Sequence, residues 1–153
     1  MSNIATSGRQ STLFFEQVLD YTDLTTAGVA LINARPIELP PGAIPLRGSM
    51  ITETNVTGGG LTAITLAIGS ILNPSSATPT VNATKYLAAT SVFSGAGTVT
   101  PLTITQAMNS AQELITFAVV LTGGTAPTAG QVRVLFEYII SGRATEVAPS
   151  NVV

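Results

Sequence analysis

Glu16, Asp20 and Asp23 form the densest carboxylate cluster in the sequence. Acidic oxygens gathered near a strand end can hold a hard cation such as calcium, or work as a paired acid and base. Their spacing matches no calcium-binding loop of the EF-hand kind. Glu16 and Asp20 instead share a strand face opposite Leu13, Phe15 and Leu19, so the simpler expectation is a solvated or inter-subunit polar face. Lys85 is the only lysine. In a β-sandwich, a lysine beside an asparagine and a buried carboxylate could form an intramolecular amide cross-link, yet nothing in the sequence fixes such neighbours. The plain expectation is a side chain whose stem covers apolar surface. Gly58-Gly59-Gly60 is the most motif-like feature, but no Walker-type or dinucleotide-type glycine pattern opens a helix anywhere, so turn chemistry suffices.

The missing residues exclude more. The chain of 153 residues has no His, Cys or Trp. Without His the usual general base at neutral pH and the commonest metal ligand are gone, and without Cys so are thiol nucleophiles and thiolate metal sites. An enzyme would have to work with carboxylates or hydroxyls alone, and no pair is placed to do so. We therefore expect no catalysis, no cofactor and no metal site. Six basic and eight acidic groups leave a formal charge of −2 with no basic run, too little for phosphate backbones or anionic lipid. Direct nucleic-acid and membrane partners are not expected. The longest apolar run, Leu114 to Leu121, is far short of a bilayer span, and MSNIATSGRQ lacks the features of a signal peptide. Tyr21, Tyr86 and Tyr138 with the phenylalanines could line a sugar platform, but Phe136 and Tyr138 fall on an inward stripe, which favours core packing.

Only 9% of residues are charged while 45% are apolar, and 23 threonines stand against one lysine. Ordinary domains carry about 25% charged residues. Disorder would need low hydrophobicity and high net charge, so the deficit points to a surface covered by partners. Each of the five arginines, Arg9, Arg35, Arg47, Arg133 and Arg143, is expected to meet a carboxylate at an interface, since its planar fork holds a carboxylate with two bonds. Arg9 and Arg143, near the two ends, are candidate anchors.

The elements that position these groups read as all-β. Residues 1–12 and 143–153 are small, polar and aperiodic, as in extended arms, leaving a sandwich domain over 13–142. Gln131 to Ile140 is the clearest strand, with Val132, Val134, Phe136, Tyr138 and Ile140 on one face and Gln131, Arg133 and Glu137 on the other. In Leu61 to Gly69, Ile64, Leu66 and Ile68 point inward and Thr65 outward. Glu113 to Leu121 has two apolar faces, Ile115, Phe117, Val119 and Leu121 against Leu114, Ala118 and Val120. It is either a central strand or a strand whose outer face meets another subunit, because a second bare apolar face would aggregate. Leu114, Ala118 and Val120 are thus candidate interface residues. Leu13 to Tyr21, Gly28 to Ala34, Ile44 to Thr54, Val81 to Val92 and Thr98 to Ile104 complete about eight antiparallel strands, the size of a two-sheet, jelly-roll-like sandwich. Gly58 to Gly60 is expected to close a hairpin, Pro40-Pro41-Gly42 to end a strand, residues 73–80 to form the longest loop, and Thr105 to Glu113 to hold one helical turn.

From Tyr21 onward, YTDLTTAGVALINARPIELPPGAIPLRGSMITETNVTGGGLTAITLAIGS, then KYLAATSVF and QVRVLFEYII, the sequence resembles the small β-sandwich virion proteins of tailed bacteriophages, and in size the capsid decoration or cement proteins among them. The resemblance rests on element order and texture over residues 13–140 and contains no catalytic or ligand motif. It implies a jelly-roll-like fold, trimers seated on a head shell of major capsid protein, and tails that clasp it, in a virion protein made in the host cytoplasm. Two other readings stay open: a head-to-tail connector, tail or fibre component, and a carbohydrate-binding module.

Overall fold

The computed structural model describes residues 12–25, 30–31, 37–124 and 126–141. The two expected arms, with Arg9 and Arg143, lie outside the described residues, as does Arg35.

Nine strands follow one another: β1 (Leu13–Asp20), β2 (Ala30–Leu31), β3 (Ile37–Leu39), β4 (Ala43–Thr57), β5 (Ala63–Leu72), β6 (Thr80–Ser91), β7 (Thr98–Pro101), β8 (Glu113–Thr122) and β9 (Ala129–Ile140). They build two antiparallel sheets, one ordered β1-β9-β4-β7 and the other β2-β8-β5-β6, with β3 also on β8. Short β2 and β3 lie one after the other along the same edge of β8. Each sheet therefore has four strand positions, and the two-sheet sandwich of about eight strands is the observed fold. The pairing is nested: β1 with β9, β2 and β3 with β8, β4 with β7, and β5 with β6.

Period-two patterning explains the core. Val132, Val134 and Phe136 of β9 and Ile64, Leu66 and Ile68 of β5 are fully buried, facing one another with Leu19, Met50, Phe117 and Val119. Phe136 stacks on Phe15 at 5.2 Å and meets the edge of Tyr86 at 5.1 Å, both within the range of favourable aromatic pairs. β8 is a central strand between β5 and the β2/β3 edge, with Ile115, Phe117 and Val119 buried on its inner face. Pro45 is accommodated in β4 because β7 pairs only with Ser49 to Thr52, so no neighbour on that side requires its missing N–H.

Four local expectations are corrected. Gly58 to Gly60 does not close a hairpin: β4 and β5 belong to different sheets, and the turn, in which Leu61 N donates to Gly58 O and Gly60 has φ +76°, crosses between them. It packs against the other crossing turn, where a side chain on Gly124 would collide with the backbone of Gly59 and Gly60. Pro40-Pro41-Gly42 does end a strand as expected, the short β3 at Ile37–Leu39. Residues 105–112 form no helical turn, and β7 ends at Pro101 rather than Ile104. The long described connection is 102–112, not 73–80, and it is held extended by donating Leu102 N to Gly48 O and Thr103 N to Tyr86 O. The first continues the β7–β4 ladder and the second crosses to the other sheet, and together they compete successfully with a helix too short to stand alone.

Candidate functional site

β6 carries a register break that decides what its side chains do. Between Ile68↔Leu87 and Ser70↔Asn82, β5 advances from Ile68 to Ser70 while β6 advances from Asn82 to Leu87. The surplus bulges over Gly69, where any Cβ would strike Asn82 and Ala83; only glycine permits the approach. The bulge turns consecutive Tyr86 and Leu87 inward, both buried, and leaves Lys85 partly buried beside them.

At the start of β8, Glu113 has the same parity as Ile115 and Phe117 and is 0% exposed. Three donors meet its carboxylate. Lys85 Nζ donates to Oε1 at 2.5 Å, Tyr86 OH to Oε1 at 2.9 Å, and Asn109 Nδ2 to Oε2 at 2.5 Å. Lys85 Nζ also sits 5.0 Å from the Tyr86 ring centre. Asn109 is fixed by its backbone, donating N–H to Ala43 O and accepting from Gly42 N. Burial first, then the adjacent Glu113 carboxylate, pushes the Tyr86 phenol far above its ordinary range, so it stays a donor. Among the described residues no buried side-chain polar atom lacks a partner. A carboxylate in an apolar core is tolerable only when satisfied in this way.

Two further sets of ion pairs lie on the outer face of the β1-β9-β4 sheet. Arg133 of β9 reaches Glu16 of β1 on one side and Glu53 of β4 on the other, and Arg47 Nε donates to Glu137 Oε2 at 2.8 Å, which raises the Arg47 pKa. Arg47 and Arg133 thus find carboxylates as expected, but within their own chain rather than across an interface. A depression of 260 Å³ lies on this face beside Phe14, Leu135 and the Arg47–Glu137 pair. Glu16 is consumed by Arg133, while Asp20 and Asp23 close the turn after β1: Thr22 N–H and hydroxyl donate to Asp20, and Asp20 N–H donates to Asp23 Oδ2 at 3.1 Å. The Thr22 hydroxyl bond is the first cause holding the exposed Asp20 carboxyl below its usual range. No group of three metal-ligating side chains forms among the described residues.

The second sheet is different. Its strands carry only Glu38, Lys85 and Glu113, of which Glu113 is inside and Lys85 turns to it. The outward pairs of β5 and β8 are Thr65↔Val120, Ala67↔Ala118, Gly69↔Thr116 and Ile71↔Leu114. Leu114 is half-buried, Ala118 is 9% exposed and Val120 is 43% exposed. The candidate interface residues of β8 therefore lie on one charge-poor face, with Val120 its exposed point. Of the tyrosines proposed for a sugar platform, Tyr86 is buried and Tyr138 packs on the core. Sequence reasoning missed the Glu113 cluster, although parity with Ile115 and Phe117 already placed Glu113 inside.

Neither a family model nor a curated protein matches the chain. Solved structures do share its fold. A chain from the capsid of Ralstonia phage GP4 aligns with TM-score 0.53 at 22% identity, covering 87% of this chain and 85% of that one. A chain of the cyanophage Pam1 capsid asymmetric unit gives TM-score 0.56 at 21% identity over 92% of each. One from the acid-stable capsid of Helicobacter pylori bacteriophage KHP30 gives 0.57 at 10% identity, over 86% and 90%. These structural alignments establish a common fold that spans nearly the full length of both partners.

Proposed function

We propose that the chain is a non-enzymatic structural protein of a tailed-phage virion, a decoration or cement protein that reinforces the head shell as a trimer. The observation that carries this reading is the near-full-length fold shared with three chains from phage capsids. Nested pairing of first strand with last supports a jelly-roll winding of the sandwich. The charge-poor outer face of β5 and β8 supports a covered surface, with Leu114, Ala118 and Val120 facing the shell or a neighbouring copy and the 1–12 and 143–153 arms, through Arg9 and Arg143, clasping it. Every ionised group of the β1-β9-β4 face already has a partner in its own chain, which leaves apolar contact as the natural source of association. Such contact resists salt and sums over many copies on a repeating shell. Closed rings also hide sheet edges that would otherwise associate without limit.

The test is binding of the purified protein to undecorated heads, followed by imaging of labelled protein on whole particles. Many copies over the head are expected, and deletion of residues 1–12 should abolish binding while leaving the fold. Protein confined to one vertex, or no binding to heads, would overturn the reading.

A further inference from the structure

The cluster at Glu113 holds the three groups that an amide cross-link requires, in the order required. We infer that Lys85 and Asn109 become joined by an intramolecular isopeptide bond, with Glu113 as the proton carrier; this does not depend on the virion role.

Lysine and asparagine sit on the two oxygens of one buried carboxylate, Lys85 Nζ on Oε1 and Asn109 Nδ2 on Oε2, each at 2.5 Å. Both reacting groups are thereby gathered at one carboxylate. The Lys85 ammonium passes a proton to Glu113, and the free amine attacks Asn109 Cγ. A Cγ–Nζ bond forms. Glu113 carries a proton from Nζ to Nδ2, the Cγ–Nδ2 bond breaks, and ammonia leaves, taking the last proton from Glu113 as ammonium. One amide replaces another, so nothing is oxidised or reduced. Three features favour the step. Asn109 cannot drift, because its backbone is bonded to Gly42 and Ala43 on both sides. Tyr86, held as a donor, steadies the carboxylate oxygen that faces the lysine. Lys85 is 34% exposed along its side chain, which gives ammonia an exit.

The bond would tie β6, at the edge of one sheet, to the 102–112 segment that is stitched through Asn109 to the start of β4 in the other. It would close the sandwich covalently in a chain without cysteine.

The purified full-length protein is tested by intact mass and by two cleavages. The expected mass is lighter than that of the Lys85→Arg variant, corrected for the substitution, by one ammonia. Trypsin should leave residues 48–133 in one piece, since an acylated Lys85 is not cut, and cyanogen bromide, which cuts after Met108, should leave fragments 51–108 and 109–153 joined. A full sequence mass would overturn the inference. So would loss of one ammonia with free cutting after Lys85 and separate fragments, the pattern of a succinimide at Asn109-Ser110. Glu113→Gln should restore the full mass with an unchanged circular-dichroism spectrum; loss of ammonia persisting in either variant would also overturn it. If Glu113→Gln fails to fold, the wild-type and Lys85→Arg masses decide.

Discussion

Val120→Asp is the sharpest probe of the proposed contact face. Val120 is the exposed apolar point of β8's outer surface and pairs across the ladder with Thr65. It is 43% exposed, and since full burial of a valine contributes about 1.5–3 kcal/mol, covering the remainder contributes about 0.6–1.3 kcal/mol, or about three- to ninefold in affinity per copy. Val120→Ala should therefore weaken shell binding by no more than that range. An unpaired aspartate trapped in the contact costs about 3 kcal/mol or more, or about 150-fold. In the isolated chain the same aspartate stays hydrated, so stability should change by less than about 1 kcal/mol, the span of strand propensity. The control is Val99→Asp on β7, more exposed at 59% but on the outer side of the other sheet, where binding should be untouched. Co-sedimentation with undecorated heads gives the affinities, and urea titration gives the stabilities. Wild-type binding by Val120→Asp, or equal loss in Val99→Asp, would refute the assignment of the β5/β8 face as the contact.

Gly124→Ala should destabilise the protein by about 1–3 kcal/mol, since its Cβ meets immovable backbone of the neighbouring turn, while Gly59→Ala, with open space around it, should be neutral; urea midpoints compare the two. Arg133→Met removes the cation shared by Glu16 and Glu53 and should cost about 0.5–1.5 kcal/mol at low salt, with much of the loss disappearing at high salt. The Asp20 carboxyl titrates below 3.8 in the folded chain, so its contribution is present above that pH and lost as pH falls beneath it. The stability gap between wild type and Asp20→Asn should accordingly close toward acid, and a gap that widens on acidification would contradict the turn geometry.

What the sequence disclosed and what it hid follow one physical division. Strands with an unbroken period of two were legible: Val132, Val134, Phe136 and Tyr138 of β9 and the inward set Ile64, Leu66 and Ile68 stand where alternation puts them. The two-faced pattern of β8 was legible, and the strand does lie centrally between β5 and the β2/β3 edge, an order that covers its edges rather than its outer face. Glu113 was legible by parity but obscured by its type, because a lone carboxylate at a strand start normally reads as the solvated end. Its partners were not legible at all. The β6 bulge shifts parity between Asn82 and Leu87, and no local signal announces surplus residues in one strand of a pair. The same limit applies to the glycine turns and the arginines. Gly58 to Gly60 shows that the chain reverses, not which sheet it enters, and whether Arg133 meets Glu16, Glu53 or a neighbouring subunit depends on the register of three strands distant in sequence.

The low charge content thus resolves into an uneven distribution. On the β1-β9-β4 face, acidic and basic groups are interleaved and neutralise one another within the chain. On the β8-β5 face the outward pairs are small, hydroxylated or apolar, with Glu38 at the rim bonded to Gln112. A free protein gains nothing from such asymmetry, since water would serve both faces equally. A subunit repeated across a surface does gain: the neutralised face limits repulsion between adjacent copies, and the uncharged face can be dehydrated without stripping water from an ion. A carboxylate buried between the sheets fits the same economy only because three donors from two segments converge on it, so that loss of either segment's position would expose its cost. Glu113 thereby makes the alignment of β6, the 102–112 segment and β8 a single cooperative unit, and the shape presented by the outer face of β8 is held from within.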